Sequence, residues 1–464
     1  MKTIFKFGFS LLLMGSGLFF IQSCTKDNSK EGQLEFSDTK EFDASVPLAW
    51  NELITEIDRF STGYRPPAAA RMFGYVGLAA YEAVVPGMPE YQSLESQFSG
   101  LKLPKIQTGA AYHWPTVANA AYANILRQFY SQIKVADFER INTLESKFNL
   151  KNESILEKEE LERSKLFGKD IATAVFNFSV TDAAGHEAYK NPTPNSYIPP
   201  KVGPNGEKLW QPTLPDYSPA LFPYWGQVRP FAMKTSDLRA KPPIPYSENP
   251  GSKFYLQALE TKAYVDNLNF EDQWISQFWS DDFFEVTFEP AARQLVIANQ
   301  LVQHEKLSLD RAVELYAKLG MAMADAAISI WYSKYTYNVR RPVEYIQELI
   351  DPTWKTQMNH PYTNMKGMSP NFPAYPSGHS GFGSSGAAIL TDILGSNKSF
   401  TDNCHKDRFE FLGAPRSFSS FSVAGLENAY SRITLGVHYR MDCDEGVRLG
   451  NLAAKRVIEL EWKK

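Results

Sequence analysis

Apolar residues recur at helical spacing through most of the chain. Leu48, Leu53, Ile54 and Ile57 share one face of a segment beginning near Pro47, and a second helix is predicted from Pro66-Pro67 to Val85, stopped by Pro86-Gly87. The 3.6-residue period continues over residues 115 to 134 and roughly 153 to 179, where charge runs such as Lys158-Glu159-Glu160 form solvated faces. Helices are predicted again from Lys253 to Leu268, Glu271 to Trp279, Pro290 to His304 and Leu309 to about Asn338. No segment alternates with period two and no internal repeat is found, so the predicted fold class is all-α, built as packed helical bundles.

One stretch breaks the period. Of the 29 prolines, 14 fall between Pro192 and Pro250, interleaved with Tyr197, Trp210, Tyr217, Phe222, Tyr224 and Trp225. Such a stretch is neither a helix nor a central strand, and a simple linker seldom carries so much aromatic surface. Residues 181–251 are therefore read as a long Pro/aromatic-rich loop packed over the bundle and rimming the mouth of a site.

The N-terminus has Lys2 and Lys6, an apolar run through Phe20, and then Ile21-Gln22-Ser23-Cys24. This predicts a lipoprotein signal peptide over 1–23, with Cys24 lipidated and the mature protein exported and held on the periplasmic or cell-surface side of a membrane. A transmembrane helix is the alternative, but the run is interrupted and short for a span. Beyond it the pattern divides into a tether (24–46), an N-terminal helical region (47–180), the loop (181–251) and a C-terminal helical region (252–464). Loss of the two signal lysines takes the formal charge from −4 to −6, and nothing points to nucleic-acid binding. Cys404 and Cys443 could pair in an oxidising compartment, but no Cys/His zinc spacing exists.

Three stretches carry chemistry. Phe372-Pro373-Ala374-Tyr375-Pro376-Ser377-Gly378-His379 reads as a helix start suited to an anion, with Pro376 in the first turn, Ser377 donating a hydroxyl, and Gly378 opening the backbone. Upstream, Lys334 and Arg341 lie seven residues apart, which on a helix puts both cations on one face, and Pro342 closes the segment. Downstream, Asp442 follows His438 by four in Ser431-Arg432-Ile-Thr-Leu-Gly-Val-His438-Tyr-Arg-Met-Asp442, so on a helix the carboxylate can hold one ring nitrogen and aim the other. His113, His186, His304, His360 and His405 sit in no such setting and are read as surface or structural. Three cations around one pocket repel by on the order of a kcal/mol per pair when partly buried, so the pocket should bind a multiply charged tetrahedral oxyanion.

In order and spacing these stretches resemble the Lys-x6-Arg-Pro, Pro-Ser-Gly-His and Ser-Arg-x5-His-x3-Asp motifs of a known superfamily. It unites vanadium-dependent haloperoxidases with type 2 phosphatidic acid phosphatases and bacterial acid phosphatases. The motif core spans residues 331 to 446, and the chain looks closest to bacterial haloperoxidase-like lipoproteins. The resemblance implies that Lys334, Arg341, Ser377, the Gly378 amide and Arg432 hold the oxygens of vanadate or phosphate. It further implies that His438, oriented by Asp442, is the ligand of the vanadium or the nucleophile, and that His379 is the acid-base residue. Arg340 precedes Arg341, and the position next to Pro342 decides the assignment.

Two reactions fit. A haloperoxidase would oxidise halide, iodide or bromide in preference, with hydrogen peroxide, passing the product to a small organic acceptor. A phosphatase would work through a phosphohistidine at His438, with phosphate in place of vanadate. Trp331 and Phe372 stand where the family's chloroperoxidases and bacterial iodoperoxidases have a tryptophan and a phenylalanine, and they mark a halide pocket. A lipoprotein that only captures phosphate is the remaining reading, but capture needs no acid-base pair. The sequence leaves the oligomeric state open.

Overall fold

The computed structural model describes residues 38–464 except 282 and 364. The expected signal peptide and Cys24 lie outside the described residues. In chain order the helices are α1 (Ser45–Asp58), α2 (Pro66–Val84), α3 (Trp114–Phe129), α4 (Val135–Glu153), α5 (Lys158–Val180), α6 (Ala183–His186), α7 (Lys253–Asp266) and α8 (Phe270–Phe278). They continue with α9 (Pro290–Glu305), α10 (Leu309–Tyr337), α11 (Pro342–Leu349), α12 (Gly378–Leu394), α13 (Phe421–Thr434) and α14 (Arg440–Ile458). The architecture is all-α, and its described residues lie in one compact unit.

The axis of the fold is α10. Every residue from Ala312 to Trp331 is buried, so over this stretch the helix has no solvent face and is wrapped by α2, α12 and α14. Two close approaches set the packing. A Cβ on Gly77 of α2 would stand 2.7 Å from the Cα of Ala317 in α10, and one on Gly450 of α14 would stand 2.3 Å from the carbonyl oxygen of Gly381 in α12. Glycine is therefore required at both crossings, and the second brings the first turn of α12 against the middle of α14.

The structure adds two features that the apolar pattern did not show and answers one question it left open. Residues 135–153 form α4, which the apolar period missed because only Ile141 and Asn152 of this helix are buried and it carries almost no core face. Two short antiparallel strands, β1 (Phe400–Asp402) and β2 (Arg416–Phe418), pair with Phe400 opposite Phe418; three residues are too few to show an alternation. Cys404 and Cys443 are free thiols, not a disulfide.

Segment 181–251 is irregular backbone with short helical turns, held onto α10 by hydrogen bonds. The N–H groups of Phe231, Ala232 and Met233 donate to the Asp325 carboxylate at 2.6, 2.7 and 2.7 Å, and the Ala240 N–H donates to the Ser333 hydroxyl at 2.8 Å. The Leu221 carbonyl accepts from the Trp331 indole at 3.2 Å and the Tyr335 hydroxyl at 2.7 Å. Loop polar groups are thus paid in hydrogen bonds to the central helix, while Trp210 and Trp225 fill the space beneath. Among the described residues no helix is long and apolar enough to cross a membrane.

Candidate active site

Ser377 is the N-cap of α12, accepting from the Ser380 N–H at 3.4 Å, and its own N–H donates to the carbonyl of Asp442 at 2.9 Å. The helix therefore starts at Gly378, and Pro376 lies before the cap, not in the first turn. The amides that open this 17-residue helix carry the positive end of its dipole. Gly378 lines a cavity, and a Cβ there would lie 3.5 Å from Trp331, in ordinary contact.

Lys334 and Arg341 converge, but not on one helix face. α10 stops at Tyr337 with Asn338 left-handed (φ 46°), and Arg341 is the N-cap of α11, with Pro342 opening that helix. The reversal at Asn338, not helical periodicity, turns Arg341 back onto Lys334. The Lys334 ammonium donates to the carbonyls of Pro373 and Ala374 at 2.8 and 3.0 Å; the Arg341 guanidinium donates to those of Phe372 and Val437, both at 2.8 Å. Both cations lie 4.9 Å from the centroid of the Phe372 ring. Burial, then the nearby charge of Arg341, holds the Lys334 ammonium well below the usual lysine range.

Arg340 goes elsewhere, pairing with Glu348 at 2.7 Å on the outer side of α11. Replacing Arg341 by methionine should therefore lower vanadate affinity by roughly a hundredfold, as expected when a buried charge-assisted contact is lost. Replacing Arg340 in the same way should leave it within about threefold, because its guanidinium is engaged by Glu344 and Glu348 on α11 and does not line the cavity. Calorimetric titration of both variants decides between the two arginines.

His438 and Asp442 meet, again not as two residues of one helix. His438 precedes α14, and Asp442 sits in its first turn, where its carboxylate accepts from the Tyr439 N–H at 3.0 Å and bonds His438 Nδ1 at 2.9 Å. The other ring nitrogen, Nε2, is 3.1 Å from Arg341 Nη1. A guanidinium can only donate, so Nε2 accepts, and the ring proton is on Nδ1 facing Asp442. Burial, with the charges of Arg341, Lys334 and Arg432 adding to it, pushes the His438 ring well below the ordinary histidine range. The ring is a neutral base with its lone pair on Nε2. Burial pushes the Asp442 carboxyl up, to about 7.

Around these groups lies a cavity of about 190 Å³, lined by His379, His438, Arg432 and Gly378 on one side and by Trp331, Phe372 and Phe382 on another. The Trp331 and Phe372 rings are 5.1 Å apart, tilted at 49°. All the predicted site residues among the described ones are thus in or directly behind one pocket. The sequence reading missed other lining residues: Arg65, Asp281, Met358 and Met368, together with Asp216, Ser218 and Leu221 from the 181–251 loop. Arg65 is paired with Glu289. Asp281 belongs to a buried network in which Arg293 holds Asp281 at 3.3 Å and Asp402 at 3.0 Å, with His405 Nε2 2.8 Å from Arg293. None of these belongs to a recognisable motif; only the density of aromatic residues and prolines hinted at the loop.

Among the described residues no group of three or more His, Cys, Asp and Glu is placed to hold a metal ion directly. The donor set fits an oxyanion instead: the buried cations Lys334, Arg341 and Arg432, helix-start amides, a hydroxyl, and the neutral imidazole nitrogen of His438.

Comparison with known proteins bears on the family and the fold. Residues 314–463 match the family model for the VCPO second helical-bundle domain. Vanadium chloroperoxidase of Curvularia inaequalis is 24% identical over 511 aligned positions, spanning 88% of this chain and 80% of that protein. The crystal structure of the first bacterial vanadium-dependent iodoperoxidase superposes with a TM-score of 0.78 at 27% identity, covering 90% of this chain and 97% of that one. Holo-type bacterial vanadium-dependent chloroperoxidase superposes with a TM-score of 0.63 at 16% identity, covering 88% of this chain and 95% of that one.

Proposed function

We propose, from the premise that this chain belongs to the superfamily of vanadium-dependent haloperoxidases and type 2 phosphatidic acid phosphatases, that it is a vanadate-dependent haloperoxidase oxidising iodide in preference to other halides. The observation that carries the reading is the neutral His438 Nε2, fixed by Asp442 and facing a cavity walled by cations on one side and by Trp331 and Phe372 on the other.

His438 Nε2 would take the vanadium, while Lys334, Arg341, Arg432, the Ser377 hydroxyl and the Gly378 N–H hold the oxygens. Bound vanadate supplies a Lewis-acidic centre that activates hydrogen peroxide toward attack by halide. Everything else falls to the chain. Asp442 keeps the proton on Nδ1, so that Nε2 stays a ligand. His379, lining the cavity, moves the proton required by H2O2 + X⁻ + H⁺ → HOX + H2O. Trp331 and Phe372 offer a large, polarisable halide an apolar wall, and a cavity of about 190 Å³ suits peroxide and halide better than a bulky phosphate ester.

Purified protein incubated with vanadate should oxidise iodide, bromide more slowly, and chloride weakly, since iodide is the easiest of the three to oxidise. Ester hydrolysis without halide oxidation would replace this reading by the phosphatase one; chloride turnover equal to iodide would overturn the preference alone.

The lipoprotein reading places this chemistry outside the cytoplasm. The Cys24→Ser variant should move from the membrane fraction to the soluble one. An unchanged distribution would refute attachment through Cys24.

A further inference from the structure

We propose that Met358 and Met368 form a built-in target for the enzyme's own product: a pair of thioethers in the active-site wall that is converted to sulfoxide during turnover and limits it. This rests on the haloperoxidase reading.

Both side chains line the cavity that His379, His438, Arg432, Trp331 and Phe372 also line. Met358 is only 4% exposed, so its access is through the cavity rather than from the surface. The two residues are tied together, the Met368 N–H donating to the Met358 carbonyl at 2.9 Å. Neither free cysteine lines the cavity, which leaves the two thioethers as its most readily oxidised nucleophiles. The chemistry balances with what the enzyme makes. The thioether sulfur attacks the oxidised halogen of HOX and the halogen–oxygen bond breaks, releasing hydroxide; water then displaces halide from sulfur, giving the sulfoxide, halide and two protons, one of which the hydroxide takes up. Sulfur is oxidised by two electrons, the halogen is reduced to halide, and one hydrogen peroxide is consumed for each sulfoxide.

The position makes the modification consequential. Met358 packs with Phe283, Val286, Leu435 and Val437 in a small apolar cluster separate from the main core. Val437 immediately precedes His438, and its carbonyl accepts from Arg341 at 2.8 Å. A sulfoxide oxygen set into that cluster lacks an apolar site's welcome and a ready partner, so it displaces the segment that carries the vanadium ligand.

Met365 is the internal control: it lies in the same segment, is partly exposed, and does not line the cavity. Holoenzyme would be run with iodide and peroxide while peptides are mapped by mass spectrometry. Vanadate, peroxide and no halide is one control, and vanadate-free protein given reagent hypoiodite is the other. During turnover Met358 and Met368 should gain oxygen at least about fivefold faster than Met365, and reagent oxidant should reverse the order of Met358 and Met365. Met358→Leu should complete at least about twice as many turnovers before half its activity is lost, because leucine keeps the volume without the sulfur. If that variant folds poorly, Met368→Leu is read in the same way, and peptide mapping of the parent is unaffected.

Met365 leading during turnover, Met358 unmodified when activity has halved, or equal oxidation without halide would each overturn the proposal. Absence of any iodide oxidation would instead overturn the haloperoxidase reading itself.

Discussion

His438→Ala is expected to abolish vanadate binding and halide oxidation together. The ring supplies a neutral nitrogen to the pocket, and its two hydrogen-bonding partners leave no choice of tautomer: Asp442 at Nδ1, 2.9 Å, and the Arg341 guanidinium at Nε2, 3.1 Å. The surrounding cations and helix amides would still attract an oxyanion, but as one held by charge alone, losing at least about a hundredfold in affinity. Calorimetry with vanadate measures the first loss and iodide oxidation the second, with a thermal melt to show that the variant is folded. Parental affinity in the variant would remove His438 from the ligand position. The pH behaviour of the parent follows from the same environment. Folded His438 protonates well below the ordinary value of 6.5, so it stays a ligand at pH 6, where a free imidazole is mostly charged. Since its folded pKa is the lower one, the stability tied to this residue is present above about pH 6.5 and is lost as the pH falls below that.

His379→Ala should separate what His438→Ala removes together. His379 lines the cavity one residue beyond Gly378, in the first turn of α12, on a different element from the His438–Asp442 pair. Its work would be on the proton, not on the vanadium. The variant should keep vanadate affinity within roughly tenfold and lose turnover by about a hundred- to ten-thousandfold, the range for a missing general acid or base. His379→Gln is the companion variant, keeping a polar side chain of similar length but unable to titrate; it should be as slow as the alanine. Loss of binding equal to that of His438→Ala, or full turnover in either His379 variant, would show that the two histidines do not divide the labour.

How much of this was legible in the chain differs residue by residue. The sequence named Lys334, Arg341, Ser377, Gly378, His379, Arg432, His438 and Asp442 through the resemblance of three short motifs to those of a known superfamily, which is legible because fixed offsets survive in a one-dimensional string. It also determined the all-α class, since α2, α9 and α10 bury enough apolar surface for a 3.6-residue period to be plain. It failed at α4, whose two buried residues leave no period to read.

The tertiary structure decided how those residues meet, and the sequence reading had the local geometry wrong in both pairs. Lys334 and Arg341 are joined by the left-handed turn at Asn338, and His438 reaches Asp442 across the start of α14. The choice of Arg341 over Arg340 likewise depends on Glu348 drawing Arg340 to the outside of α11. Met358, Met368 and Asp281 enter the cavity wall with no motif to announce them, because lining a pocket requires only proximity. That proximity is created where Gly450 lets α14 approach α12 at Gly381, and where Asp325 and Ser333 of the central helix, both buried, hold a proline-rich loop that has no hydrogen-bonding ladder of its own. Contacts of this kind join residues tens to hundreds of positions apart, and they are selected by packing volume and hydrogen-bond satisfaction over the whole core, which no local spacing records.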